Sequence, residues 1–378
     1  MHNSTLKDVV HVTCSNIVGL ISSILSGFVV PVILGASNYG YYKIFTLYAS
    51  YTALFHFGFN DGIMFFYGGQ DYNQLNKYKF RSNTFFFILF QVIISLILLF
   101  ISFFTTNKFY KILFVLLGIN SFFQNLLGYY QNISQTIMQF DKYSVINIIQ
   151  YILLIISIVS IWIYCKLYDL QHINFILYIF FTILINILLI IWYLYDYRKI
   201  TFGSHEILFD RIKLFKRYFI IGSYITFSYG IAILIFNLDS QFVIKFFSIK
   251  TYGMYAFAYS IFSAGLSILN AGALVLFPHL KKLSKNYILN NYSKNVVYVL
   301  LLTYLSMVGY FPLKIIINLI LPEYSGSLIY FRILLPGMAL TCCVSGVISN
   351  YYMVLKKEKF YFYLGLLVVI IAFLIDFI

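Results

Sequence analysis

The chain has 378 residues, of which 61% are hydrophobic and 10% charged, with a formal net charge of +14. Soluble domains carry roughly a quarter charged residues, so this composition excludes a water-soluble fold of this size. Lipid solvates such a surface, and the uncharged runs 144–165 and 173–195 each exceed the ~20 apolar residues a helix needs to cross ~30 Å of hydrocarbon.

The positive charge would point to nucleic acid in a soluble protein. Here Lys and Arg are spread between hydrophobic segments, as topology-setting loops beside anionic lipid require. Nucleic acid is therefore not an expected partner, although part of the charge is available for an anionic ligand.

Eleven apolar segments follow in order: 10–34, 41–66, 82–106, 110–138, 144–165, 173–195, 218–244, 252–279, 296–321, 328–355 and 360–378. Almost no hydrophilic sequence separates them, which predicts an α-helical bundle in lipid. The first segment is read as a membrane helix rather than a cleaved leader. A β-barrel is excluded, because its strands are ~10 residues long with alternating polarity.

The loops after segments two, four, six, eight and ten, with Lys7, hold 18 of the 26 basic residues. The positive-inside rule then predicts a cytoplasmic N-terminus. Cys14, Cys165, Cys342 and Cys343 lie in or beside apolar runs without metal-ligand spacing and read as packing residues.

The longest hydrophilic stretch, 196–217, divides the chain near its middle. Its flanks resemble each other. Asn38-Tyr39-Gly40-Tyr41-Tyr42 after segment one is answered by Thr251-Tyr252-Gly253-Met254-Tyr255 after segment seven, 213 residues on. Asp141-Lys142-Tyr143 is answered by Glu358-Lys359-Phe360, 217 on. Six helices between repeats is the parallel arrangement of transporters with a central substrate path. The expected architecture is an all-α membrane protein of two pseudo-symmetric six-helix lobes, 1–200 and 201–378. Twelve helices are implied and eleven are legible, so the sixth helix of the second lobe is expected to be missing or to lie beyond Ile378.

Polar residues recur at helical spacing, which places them on shared faces. Segment four carries Asn120, Gln124, Gln131 and Gln135, with Asn125 beside them; segment two carries Tyr48, Thr52, His56 and Asn60; segment eight carries Tyr259, Ser263, Ser267 and Asn270. Two readings compete. The residues line a hydrated cavity for a sugar-like ligand, or they bond helix to helix. For segment four, its number of amides favours the cavity. For Asn16, Gly19, Ser23 and Ser26 of segment one, packing is the better reading. Asp61 and Asp239 are candidate gate or coupling residues, with Lys245, Arg332 and Lys43 as candidate attractors of an anionic headgroup. The alternative for each is an interface position. No nucleophile elbow, Walker loop, zinc-binding motif or other catalytic constellation occurs, so no enzymatic activity and no cofactor are expected.

The runs Asn38-Tyr39-Gly40-Tyr41-Tyr42, His56-Phe57-Gly58-Phe59-Asn60-Asp61-Gly62 and Tyr67-Gly68-Gly69-Gln70 resemble the oligosaccharide flippases of bacterial polysaccharide synthesis. These are the Wzx type, within the multidrug/oligosaccharidyl-lipid/polysaccharide exporter superfamily. Asn237-Leu238-Asp239 followed by Tyr252-Gly253-Met254-Tyr255 adds to the likeness, which runs over nearly the whole chain in order and spacing. Ser240 departs from it, since many such flippases place a basic residue there. The resemblance implies a MATE-like fold of two six-helix bundles around a cavity, in the bacterial inner membrane. It implies an undecaprenyl-diphosphate-linked oligosaccharide as cargo, for O-antigen or another surface polysaccharide. Other polysaccharide-assembly membrane proteins are implied partners, besides membrane lipids. Drug-exporting relatives carry an acid in the first helix, which is absent here past Asp8. A polysaccharide polymerase and a cation-coupled small-molecule exporter are the alternatives.

Overall fold

The computed structural model describes residues 2–207, 211–281 and 285–355, and beyond them 360, 363–365, 367–368, 370–371 and 374. Segment eleven therefore lies mostly outside the described residues, as does Glu358-Lys359 of the second repeat match. The elements in order are α1 (His2–Thr52), a 3-10 turn (Ala53–His56), α2 (Phe59–Tyr67), α3 (Lys77–Phe104), α4 (Lys108–Thr136), α5 (Phe140–Leu167), α6 (Phe175–Asp196), α7 (Arg198–Thr201), α8 (Ile212–Phe246), α9 (Ile249–Lys281), α10 (Lys285–Ser306), α11 (Tyr310–Ile320), α12 (Leu328–Cys342) and α13 (Ser349–Val354). No strand occurs among the described residues. The chain is an all-α protein with helices suited to crossing a membrane several times.

Seven described stretches are long and apolar enough to cross a bilayer, or eight if the bent pair Ile212–Ile231 and Ile233–Phe246 counts as one span. Eleven segments were predicted, and the difference has physical causes. Segments one and two form a single helical stretch of 47 residues, Val10–His56. At ~1.5 Å per residue that is roughly 70 Å, enough for two crossings. It is broken at Gly35, whose φ of 68° suits glycine. Side chains of α9 from Ser267 onward fall outside the described residues.

Asparagine starts three of the helices. The Asn76, Asn107 and Asn174 side chains accept backbone N–H groups at the first turns of α3, α4 and α6. Each meets a donor that a helix leaves open at its start.

Two compact units are present. One comprises Met1–Ser22, Tyr42–Leu167 and Asn174–Asn237; the other comprises Ser23–Tyr41, Tyr168–Ile173 and Leu238–Ile378. The first unit is built on aromatic packing. Phe59 touches the rings of Phe86, Phe87, Phe215, Tyr218 and Phe219. Tyr130, Tyr193 and Tyr197 stack nearly parallel. The helices α2 and α8 cross backbone to backbone. A β-carbon on Gly58 would lie 2.2 Å from the Ser223 nitrogen, and one on Gly62 would lie 2.3 Å from the Tyr218 carbonyl oxygen. Small residues four apart permit this approach. The outer face of α3 exposes Ile93, Leu96, Ile97, Phe100, Phe103 and Phe104. An apolar groove of about 630 Å³ runs along it. Such a face suits lipid tails, not water.

The second unit contains a reciprocal helix crossing. A β-carbon on Gly253 would lie 2.1 Å from the Ala36 carbonyl oxygen, and one on Gly40 would lie 2.3 Å from the Ile249 carbonyl oxygen. Ile249 stands 213 residues after Ala36, as Gly253 does after Gly40. The two contacts therefore exchange under the repeat offset. Each glycine meets the carbonyl four residues before the other.

The break in α1 is also resolved within this unit. The Ala36 N–H donates to Glu323 Oε1 at 2.9 Å, the Ile173 N–H to the Ile33 carbonyl at 3.1 Å, and the Tyr324 hydroxyl to the Pro31 carbonyl at 3.2 Å. Backbone groups around Gly35 thus find partners, as a lipid environment demands.

Candidate functional site

The polar interior of the first unit gathers at the interruption between α1 and α2. Phe57 and Gly58 both take left-handed conformations there, with φ of 47° and 91°. Amide side chains meet backbone carbonyls beside this turn. Asn125 Nδ2 donates to the Thr52 carbonyl at 3.0 Å and to Gln91 Oε1 at 3.1 Å; Gln91 Nε2 donates to the Phe55 carbonyl at 3.2 Å. Thr52, Gln91 and Asn125 are all buried. His56 closes the turn by accepting the Gly58 N–H on Nδ1 at 3.2 Å.

The rest of the segment-four stripe pairs along or across helices. Asn120 Nδ2 donates to Gln124 Oε1 at 2.7 Å, and Gln131 Nε2 to Asn147 Oδ1 at 2.9 Å. Gln135 is half-buried near the end of α4. Asn60 is buried, and its Oδ1 meets no donor among the described residues. Asp61 accepts a hydrogen bond from the Thr226 hydroxyl at 2.6 Å.

In the second unit Asp239 accepts from the Tyr255 hydroxyl and, at 2.6 Å, from the Ser240 N–H. Tyr259 stacks on Tyr255 with centroids 6.3 Å apart. Lys245 is exposed with its ammonium 5.2 Å from the Phe246 ring. Arg332 is exposed, and its Nε donates to the Tyr310 hydroxyl at 2.9 Å. Lys43 is half-buried. The Asn270 side chain lies outside the described residues.

The structure thus brings Thr52, Asn125 and His56 to one interruption, while Asn120, Gln124 and Gln131 pair elsewhere along α4. Gln91, Asn147 and Thr226 were missed by sequence reasoning. Gln91 carried a usable signal, being the lone amide between Asn83 and Asn107 in an apolar run. Chemically, the arrangement offers many neutral donors and acceptors. Among the residues described here it forms no nucleophile–base pair.

A scan against protein-family models gives no match, and a search of curated proteins returns no match either.

Proposed function

We propose that this chain is a flippase that moves an undecaprenyl-diphosphate-linked oligosaccharide repeat unit from the cytoplasmic to the periplasmic leaflet. It works by alternating access, without catalysis, in an inner membrane with the N-terminus in the cytoplasm. The proposed arrangement is MATE-like: two six-helix lobes, 1–200 and 201–378, with 11–12 membrane helices in all.

The observation that carries this reading is the reciprocal crossing of Gly40 and Gly253. A contact whose two halves exchange under one sequence offset is what an internal duplication places on its two-fold axis. Repeats separated by six helices insert the same way up, and transporters of that build bind cargo between their halves. The repeated element is backbone packing, which supports an architecture for movement more than a site for chemistry.

Neutral amides support the class of cargo. The Gln131–Asn147 and Asn120–Gln124 bonds join amides whose donors and acceptors match those of sugar hydroxyls. Asp61, Asp239, Lys245 and Arg332 are the proposed gate and headgroup residues.

Deleting the gene tests the reading in cells. Loss of a flippase traps complete lipid-linked repeat units on the inner leaflet. Single-unit glycan still reaching the surface would point instead to a polymerase.

A further inference from the structure

Arg211 precedes α8 at the end of the hydrophilic linker and is only 4% exposed. Long cationic side chains at such positions ordinarily carry their charge to water. This one does not. Its Nη1 reaches Glu206 Oε2 at 3.4 Å, and its guanidinium carbon lies 5.7 Å from the Phe215 ring centre. Its Nε and Nη2 are shut off from solvent and meet no acceptor among the described residues.

Those two nitrogens form the side-on edge of the guanidinium, the edge that grips a carboxylate or phosphate with two parallel bonds. Further polar groups stand nearby in the same unit. The Tyr218 hydroxyl, two turns along α8, bonds the Tyr67 hydroxyl at 3.0 Å and lies within the electrostatic reach of Arg211. The Asn83 amide sits beside Tyr218, fully buried, with neither polar atom in a well-formed hydrogen bond.

Structure-building alone does not account for this arrangement. A buried donor left unmet is destabilising, and more so when charged. A methionine would fill similar space without that penalty. The same linker carries Arg198 and Lys199, and Arg81 donates to its Lys199 and Ser204 carbonyls.

We propose that the side-on edge of Arg211 binds a phosphate-type oxyanion. The Glu206 carboxylate is a weak place-holder on the other guanidinium nitrogen. The oxyanion comes from a lipid-linked phosphate or from free phosphate in solution. Its use in capturing cargo rests on the flippase reading; the site itself does not.

The test uses the purified full-length chain in phosphatidylcholine nanodiscs, with thermal unfolding as the readout. Inorganic pyrophosphate is the soluble probe, and undecaprenyl phosphate in the nanodisc is the lipid probe. Wild type gains stability from at least one. A response to pyrophosphate identifies free phosphate as sufficient; a response to the lipid alone identifies a headgroup delivered from the bilayer. Arg211→Gln and Arg211→Lys weaken binding by about tenfold or more, since both lose the charged fork. Without ligand, Arg211→Gln melts no lower than wild type. Glu206→Gln binds more tightly because the competing carboxylate is gone. Indifference of wild type to both probes would overturn the site, as would unchanged binding in Arg211→Gln. Lost binding in Arg211→Gln together with normal glycan delivery in cells would leave the site standing and end its role in cargo capture.

Discussion

The Ala36 N–H donates to the Glu323 carboxylate across 287 residues of sequence, at the break in α1. His172 stands behind it, with Nε2 3.5 Å from Glu323 Oε2. Glu323→Ala should leave that N–H unmet and lower stability by about 1–3 kcal/mol. Glu323→Gln keeps an acceptor and should lose less than half as much. Unfolding midpoints of the two variants in one detergent check the order.

Glycine substitutions separate contact from propensity. Gly253→Ala drives a β-carbon against the Ala36 carbonyl and should cost about 1–3 kcal/mol. Gly128, in the middle of α4, has open space around its position. Gly128→Ala should be neutral or stabilising by up to about 1 kcal/mol, since alanine loses less backbone entropy in a helix. Equal behaviour of the two variants in thermal unfolding would remove the crossing from the account.

Removing Asn125 strands two partners at once, the Thr52 carbonyl and Gln91 Oε1. Asn125→Leu should destabilise by about 1–3 kcal/mol. Gln91→Leu should cost a similar amount, and the double variant less than the sum, with a coupling of about 0.5–3 kcal/mol. A double-mutant cycle in chemical unfolding measures it.

Gln124 and Gln131 test the cavity reading against the packing one. Changing both to leucine should abolish glycan delivery while leaving the protein inserted and abundant. Surface-glycan gels and membrane immunoblots report the two quantities separately. Normal delivery would take α4 out of the transport path and leave its amides as links between helices.

Much of the fold was legible because lipid makes simple demands. Uncharged runs such as 144–165 and 173–195 correspond to α5 (Phe140–Leu167) and α6 (Phe175–Asp196) within a few residues. The Gly40 and Gly253 repeat was visible as a match in sequence, yet its meaning as a crossing was not. Contact between residues 213 apart is set by tertiary packing, which no local period encodes. Asn120 and Gln124 of the α4 stripe share a face and bond each other. The partner of Asn125 beside it was not legible, because Thr52 contributes a backbone carbonyl, and every residue has one. The contact forms beside the turn at Phe57 and Gly58, whose conformation a single phenylalanine does not announce. Arg211 read as one more loop cation, since sequence gives charge but not burial.

Translocation in a purified system tests the central claim most directly. The chain is reconstituted into vesicles carrying a fluorescent undecaprenyl-diphosphate oligosaccharide, and a membrane-impermeant quencher reports the exposed fraction over time. The account predicts that the fraction sealed in the inner leaflet becomes accessible faster than in protein-free vesicles, and that Gln124→Leu with Gln131→Leu removes the acceleration. Exchange no faster than in empty vesicles would contradict it.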